Sequence, residues 1–246
     1  MGGAWNEQPF AGGWLRAAGS ASRGKLPFLR FRLFCVPLPY GTADIMNRQA
    51  MKNIVFDLGG VVFARNKNTC RPELIDFFSF VRAEKMPEFW EEYDRGTLTR
   101  DEVTDVLCRL KGCDRDTCAA LIDEAIDRQE PIAPTERLIG DLKAAGYRLY
   151  VLSNMSREFI DFLRRVPVYR HFDGDVVSCE ERTVKPEPRI YEILLDRFAL
   201  DPAETLFIDD RPENIAAAER HGIRGCLFDR RDPEAACDAL RRMLLA

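Results

Sequence analysis

The chain has 246 residues, 36 Lys and Arg against 40 Asp and Glu, a formal net charge of −4 and only two His. Its 46% apolar and 31% charged content is an ordinary soluble composition, and the length suffices for a sizeable core in one large or two small domains. No run reaches the ~18 apolar residues of a membrane span, and the mildly acidic balance speaks against binding nucleic acid by neutralising phosphates, so neither membrane nor nucleic acid is expected as a partner.

The charge is unevenly spread. Residues 1–50 hold six basic groups (Arg16, Arg23, Lys25, Arg30, Arg32, Arg48) and two acids (Glu7, Asp44), net +4, which leaves net −8 for residues 51–246. The head is rich in Gly, Ala, Pro and Arg, has no sustained helical or strand period, and lacks the continuous apolar stretch of a secretory signal. Its composition fits a transit peptide weakly. It reads better as a disordered or non-native extension ahead of a start at Met46 or Met51.

From Met51 the pattern becomes regular. Asn53–Phe56 is a short β-branched and aromatic run ended by Asp57 and Gly59–Gly60. Residues 66–133 then carry only helical signals. Leu74, Phe77, Phe78 and Val81 make one apolar stripe, and Leu121, Ile122, Ala125 and Ile126 make another. Between them Thr99 and Glu102 form a capping box after Gly96, opening a helix with Val103, Val106, Leu107 and Leu110. Beyond this interval strands are expected at 148–152, 175–178, 205–208 and 224–228. Helices are expected at 134–145, 156–165, 188–198, 212–221 and 233–245. Short apolar strands alternating with amphipathic helices predict an α/β fold, a doubly wound parallel sheet covered on both faces. Its ligand should lie at the carboxyl ends of the strands. Residues 51–65 and 134–246 would form this core, with 66–133 a helical module inserted over the active end.

The eight cysteines (Cys35, Cys70, Cys108, Cys113, Cys118, Cys179, Cys226, Cys237) include no C-x-x-C pair. With only His171 and His221 beside them, a Cys/His zinc site is not expected. They read as reduced core or surface thiols of a cytoplasmic protein.

Four predicted strands end on chemistry. Asp57, Ser153 and Asp209–Asp210 directly follow their strands, and Lys185 follows a third by a loop. Each alone has a bland explanation: a turn for Asp57, a helix cap for Ser153, a loop lysine, solvated charge. Their joint occurrence along one sheet edge does not. The segments FDLGGVV, LSN, VKPEPRIY and FIDDRPENI resemble the four motifs of the haloacid dehalogenase-like hydrolase superfamily, over essentially all of residues 51–246. A helical insert stands where that superfamily places its first-type cap. FDLGGVV, RGTLTRDEV, KPEPRIY and FIDDRPENI resemble more particularly the bacterial branch of α-D-glucose-1-phosphate phosphatases.

The resemblance implies a phosphoric monoester hydrolase with a Rossmann-like core. Asp57 would be the nucleophile forming an aspartyl-phosphate. Ser153 and the Asn154 backbone N–H would bind phosphate, with Lys185 supplying positive charge. Asp57, Asp210 and the Gly59 carbonyl would ligate Mg²⁺, and Asp209 would support that shell. The need for cations is electrostatic: a carboxylate approaching a phosphate dianion at ~4 Å and an effective dielectric constant of about 20 meets roughly 8 kcal/mol of repulsion. The expected partner is a small phosphorylated metabolite.

Motif one departs from the common phosphatase form, which carries a second Asp as general acid/base where this chain has Gly59. A positioned acid contributes about 10²–10⁴-fold. The substrate would then be an ester whose leaving group needs little protonation, such as a hexose 1-phosphate. Two alternatives are a metal-free 2-haloacid dehalogenase, which also lacks the second Asp, and a non-catalytic binder of a phosphorylated ligand or a protein. The adjacent Asp209–Asp210 pair argues against the first, because two acids without a cation repel each other and an anionic substrate. Phe89, Trp90, Tyr93 and Arg95 are candidates for substrate selection, although packing between helices is the better expectation for most of these aromatics.

Overall fold

The computed structural model describes residues 51–66, 69–82 and 86–246. The head segment with Cys35 lies outside the described residues. The elements in chain order are β1 (Asn53–Phe56), β2 (Phe63–Arg65), α1 (Pro72–Phe77), α2 (Glu88–Arg95), α3 (Arg100–Lys111), α4 (Arg115–Asp127) and β3 (Gln129–Pro131). They continue as α5 (Ala133–Ala144), β4 (Arg148–Ser153), α6 (Arg157–Leu163), β5 (Gly174–Val177), α7 (Ser178–Glu181) and α8 (Pro188–Phe198). The last four are β6 (Thr205–Asp209), α9 (Pro212–Arg220), β7 (Arg224–Leu227) and α10 (Pro233–Leu244).

The sheet has five strands in the order β5-β4-β1-β6-β7, all parallel. The chain winds outward from β1 in both directions, and this reversal opens a crevice at the carboxyl ends of β4, β1 and β6. Side chains alternate across the sheet with a period of two. Ile54, Phe56, Leu149, Val151, Leu206 and Ile208 share a core with Leu138, Ile139 and Leu142 of α5, Ile160 and Leu163 of α6, and Leu240 of α10. Val55, Tyr150, Leu152, Val176 and Phe207 face the other way, against Ile190, Tyr191 and Leu194 of α8 and Ala217 and Ala218 of α9. Strands buried on both faces are why the sequence shows continuous apolar runs here.

A two-stranded antiparallel ribbon, β2 with β3, stands where the chain leaves the sheet and returns to it. At three residues each these strands are too short to show a period, and the sequence pattern does not reveal them. The helices between them build their own core from Leu74, Phe78, Trp90, Tyr93, Val103, Leu107, Ile122 and Ala125, joined by Phe159 of α6. The Thr99–Glu102 capping box is formed at the start of α3. Asp114 caps α4, and the residues flanking that cap, Cys113 and Cys118, bring their sulfurs to 2.6 Å in the positions of a hydrophobic staple. Strand β5 runs from Gly174 rather than Asp175, and Ser178 opens the short helix α7 instead of ending the strand. No described helix is long and apolar enough to cross a membrane.

Candidate active site

Parallel register places the site residues side by side. Phe56 is level with Val151 of β4 and with Ile208 of β6, so the next residue on each strand, Asp57, Leu152 and Asp209, emerges at one height. The Asp57 N–H donates to the Ile208 carbonyl at 2.9 Å and holds that level past the strand end. Lys185 enters from the loop before α8. Its ammonium lies 2.7 Å from Asp57 Oδ1, 2.7 Å from Asp209 Oδ2 and 2.8 Å from the Leu152 carbonyl, so all three protons are donated.

One ammonium thus serves two buried carboxylates, and a third, Asp210, stands beside them. Carboxylate oxygens of Asp57, Asp209 and Asp210 lie within 4.8 Å of one another. Burial, with the charges of Asp209 and Asp210 adding to it, pushes the Asp57 carboxyl up to about 7 even though Lys185 pulls the other way. Burial would depress the Lys185 ammonium, but Asp209 and then Asp57 more than reverse that and hold it above its ordinary value. Asp210 is likewise raised, by burial and by Asp209. Local charge is in excess on the negative side.

The carboxylates are not equivalent. Asp209 accepts at both oxygens: the Arg211 N–H at 2.8 Å and the Asn214 amide at 3.0 Å on Oδ1, Lys185 at 2.7 Å and the same amide at 3.1 Å on Oδ2. It is fully committed to holding its neighbours. Asp57 accepts Lys185 and the Ser153 hydroxyl, the latter at 3.2 Å, through Oδ1. Asp210 accepts Arg230 at 2.9 Å through Oδ2. Gly60, at φ +84°, lets the loop after β1 close on Asp210, since a Cβ there would sit 3.0 Å from Asp210 Oδ2.

The predicted site residues are therefore gathered at one place, with differences in what their side chains do. Ser153 is fully buried behind Asp57. The Asn154 side chain pairs reciprocally with the Lys185 backbone, accepting its N–H at 2.7 Å and donating to its carbonyl at 2.9 Å. Gly59 lies at the cavity wall, with open space around it. Three residues were missed from the sequence. Asn214 stands in FIDDRPENI, where an amide in the first turn of α9 was a readable signal. Arg230 and Asp94 had none.

The site opens into a cavity of about 830 Å³. Asp57, Lys185 and Asp210 line it together with Arg65, Arg211 and Arg230 and with the apolar Trp90, Met155 and Phe159. Of the residues expected to select substrate, Trp90 reaches the cavity. Phe89 packs at a tilt against Phe80 and edge-on against Trp90. Tyr93 is buried and donates to Glu158 at 2.6 Å. Arg95 is engaged with Glu187 and Glu91.

The chain is 29% identical over 195 residues to a sesquiterpene phosphatase of Aspergillus oryzae, covering 78% of this chain and 96% of that one. It is 24% identical over 197 residues to an (S)-2-haloacid dehalogenase of a Pseudomonas species, covering 80% and 84%. Among solved structures, a haloacid dehalogenase-family enzyme of Bacteroides thetaiotaomicron in its magnesium complex superposes with a TM-score of 0.56 at 26% identity, over 72% of this chain and 93% of that one. The sequence model of haloacid dehalogenase-like hydrolases matches residues 51–222, from β1 through α9, and the chain belongs to that family of hydrolases.

Proposed function

We propose that this hydrolase is a divalent-cation-dependent phosphatase of a small phosphorylated metabolite, acting through an aspartyl-phosphate on Asp57. The observation that carries this reading is the sharing of Lys185 between Asp57 and Asp209 with Asp210 alongside. Three carboxylates against the Lys185 ammonium and the Arg230 guanidinium leave the site net negative, and it repels a phosphate, and a haloacid carboxylate too, until a further cation balances it. Hard oxygen donors suit Mg²⁺. Asp57, Asp210 and the Gly59 carbonyl would hold it, since Asp209 has both oxygens engaged by protein donors. Bound there, the ion would neutralise charge on the phosphoryl group. The magnesium complex of the Bacteroides relative and the phosphatase activity named for the Aspergillus one support the same reading.

The chain's own groups would then act in turn. Lys185 orients Asp57 and offsets its charge against the incoming phosphate. The backbone N–H of Asn154 and the Ser153 hydroxyl bind phosphoryl oxygens, Ser153 turning from Asp57 to do so. Asp57 attacks phosphorus, the ester oxygen departs, and water later releases phosphate from Asp57. The helical module at 66–133 serves as a cap, its α2 face and apolar wall meeting the organic part of the substrate and excluding water. Glu91, Asp94 and Gln129 on the cavity wall suit a hydroxylated group, which favours a sugar phosphate such as a hexose 1-phosphate. The apolar wall of Trp90, Met155 and Phe159 favours an apolar-tailed phosphate instead.

A panel of sugar, alkyl, prenyl and aryl phosphates, assayed with Mg²⁺ and with chelator, tests the proposal. Magnesium-dependent phosphate release is expected, lost by about four to six orders of magnitude in Asp57→Asn, the cost of removing a nucleophile. Full activity on a 2-haloacid in chelator would establish a dehalogenase instead. Phosphate release unchanged in Asp57→Asn would remove Asp57 from the chemistry.

A further inference from the structure

We infer that Asp94, on the last turn of α2, is the general acid and base that the chain lacks at Gly59; the inference rests on the phosphatase reading and extends it. Asp94 lines the same cavity as Asp57, Lys185 and Asp210, entering from the helical module rather than from the sheet. It is close enough to feel the charges of Asp57 and of Arg211.

Its position is fixed from several sides. The Asp94 carbonyl accepts the Ser178 hydroxyl, and the Ser156 backbone N–H at the head of α6 faces the carboxylate. Arg95 reaches Glu187 at 2.8 Å, just before α8, and Arg182 donates to the Gly96 carbonyl. Gly96, at φ +77°, lets this turn lie directly on α7: a Cβ there would stand 2.7 Å from the Cys179 carbonyl oxygen. Five contacts therefore hold one turn of the helical module against the rim of the sheet, and Asp94 is its cavity-facing carboxylate.

Other carboxylates on the wall are less suited. Glu91 is paired with Arg95 and Glu213 with Arg211, and their side chains are 44% and 49% exposed. Each is a solvated partner of an arginine. Asp94 is enclosed. The groups that face it are the Ser156 N–H, Arg211 and Cys179 from the core, Asp57 from the strand end, and Glu91 from its own helix. Burial dominates this balance, lifting the carboxyl to about 7, where it can both give and take a proton near neutrality.

The proton accounting closes over the two half-reactions. As Asp57 attacks phosphorus and the phosphorus–oxygen bond to the leaving group breaks, protonated Asp94 gives its proton to that oxygen, and the product is a neutral alcohol. The resulting Asp94 carboxylate then takes a proton from water as the water oxygen attacks phosphorus. The bond to Asp57 breaks, releasing phosphate, and Asp94 is again protonated. An acid in this place also frees the substrate from needing an acidic leaving group, so ordinary alkyl and sugar phosphates come within reach.

The test is Asp94→Asn, which keeps the size of the side chain and an oxygen for the Ser156 N–H but carries no proton to transfer. With the magnesium-loaded enzyme, turnover of an alkyl phosphate is expected to fall about 10²–10⁴-fold. With p-nitrophenyl phosphate, whose leaving group needs no proton, the variant should still give a stoichiometric burst of nitrophenolate, with Asp57 found phosphorylated by mass spectrometry. Activity within about threefold of wild type on the alkyl ester, or loss of the aryl burst together with alkyl turnover, would overturn the assignment, the second outcome marking a positioning role. A wild-type enzyme that releases phosphate from no ester would overturn the phosphatase reading and this inference with it. An active wild type with an unaffected variant overturns this inference alone.

Discussion

The rim of the sheet and the helical module reach the same cavity by different means. At the rim, geometry is delivered by the backbone: three adjacent parallel strands reach one edge of the sheet in register, and the residues at or just past their ends are brought together. In the helical module nothing about α2 itself aims Asp94 at Asp57. Its aim comes from side-chain contacts to residues 60 or more positions away, such as Ser178, Glu187 and Glu158. A site can therefore draw a fixed half from topology and an adjustable half from a seam. Substitutions at the rim should cost charge balance, whereas substitutions at the seam should cost alignment.

The harshest way to test the rim half is to remove its cation. Lys185→Met leaves Asp57 and Asp209 buried and facing each other without a counter-charge. Breaking a buried pair in this way costs about 3–5 kcal/mol. Urea unfolding should show that loss in chelator and a smaller one with Mg²⁺, because a second cation replaces part of the missing charge. Equal stability to wild type in chelator would mean that the carboxylates had simply taken up protons, and that the ammonium is not what organises them.

This contrast explains which parts of the site are legible in the sequence. Asp57, Ser153 and Asp209–Asp210 could be read because a residue at or just past the end of an apolar strand inherits its position from the sheet. Lys185 was legible through its motif, and its double pairing followed only from the fold. The boundaries of α8 match the expected helix because Pro188 at its start and the apolar spacing of Ile190, Tyr191 and Leu194 are local signals. The β2–β3 ribbon, Arg230 and Asp94 were not legible. Each depends on partners distant in sequence, and an acid at the end of an amphipathic helix looks like any solvated charge. Gly96 stands a few residues ahead of a capping box in the sequence, but its close approach to Cys179 is a tertiary fact.

The seam can be broken selectively at that glycine. Gly96→Ala forces a Cβ against the Cys179 carbonyl in a left-handed backbone position, and overpacking of this kind costs about 1–3 kcal/mol. Gly112, at the end of α3, is also left-handed, at φ +66°, yet meets nothing within 4 Å. Gly112→Ala should cost only about 1 kcal/mol, from backbone strain alone. The activities should diverge further than the stabilities: Gly96→Ala slows alkyl-phosphate turnover as the turn carrying Asp94 is displaced, while Gly112→Ala leaves it near wild type. Parallel kinetics and thermal melts of the two variants provide the comparison. Equal turnover would show that the seam does not align the cavity.

The smallest expected effect lies within the core and sharpens the contrast from the other side. Glu180 of α7 accepts two hydrogen bonds from Arg164, at 2.8 and 2.9 Å, and is also paired with Arg157. Arg164 first, then Arg157, hold its carboxyl down to about 2, well below its ordinary 4.5, although partial burial opposes them. A depressed carboxylate stabilises the fold above its unfolded value and loses that contribution as pH falls through the folded one. Because the pairs are partly solvated, Glu180→Gln should cost only about 1 kcal/mol at pH 7. The gap in melting temperature should narrow between pH 4.5 and pH 2. Turnover should be unchanged, since Glu180 serves the sheet's flank and not the cavity. A drop in turnover at full stability would show that α7 transmits alignment from this ion-pair network to the turn at Gly96, and the boundary between a topological half and a seam half would then run through α7 rather than beside it.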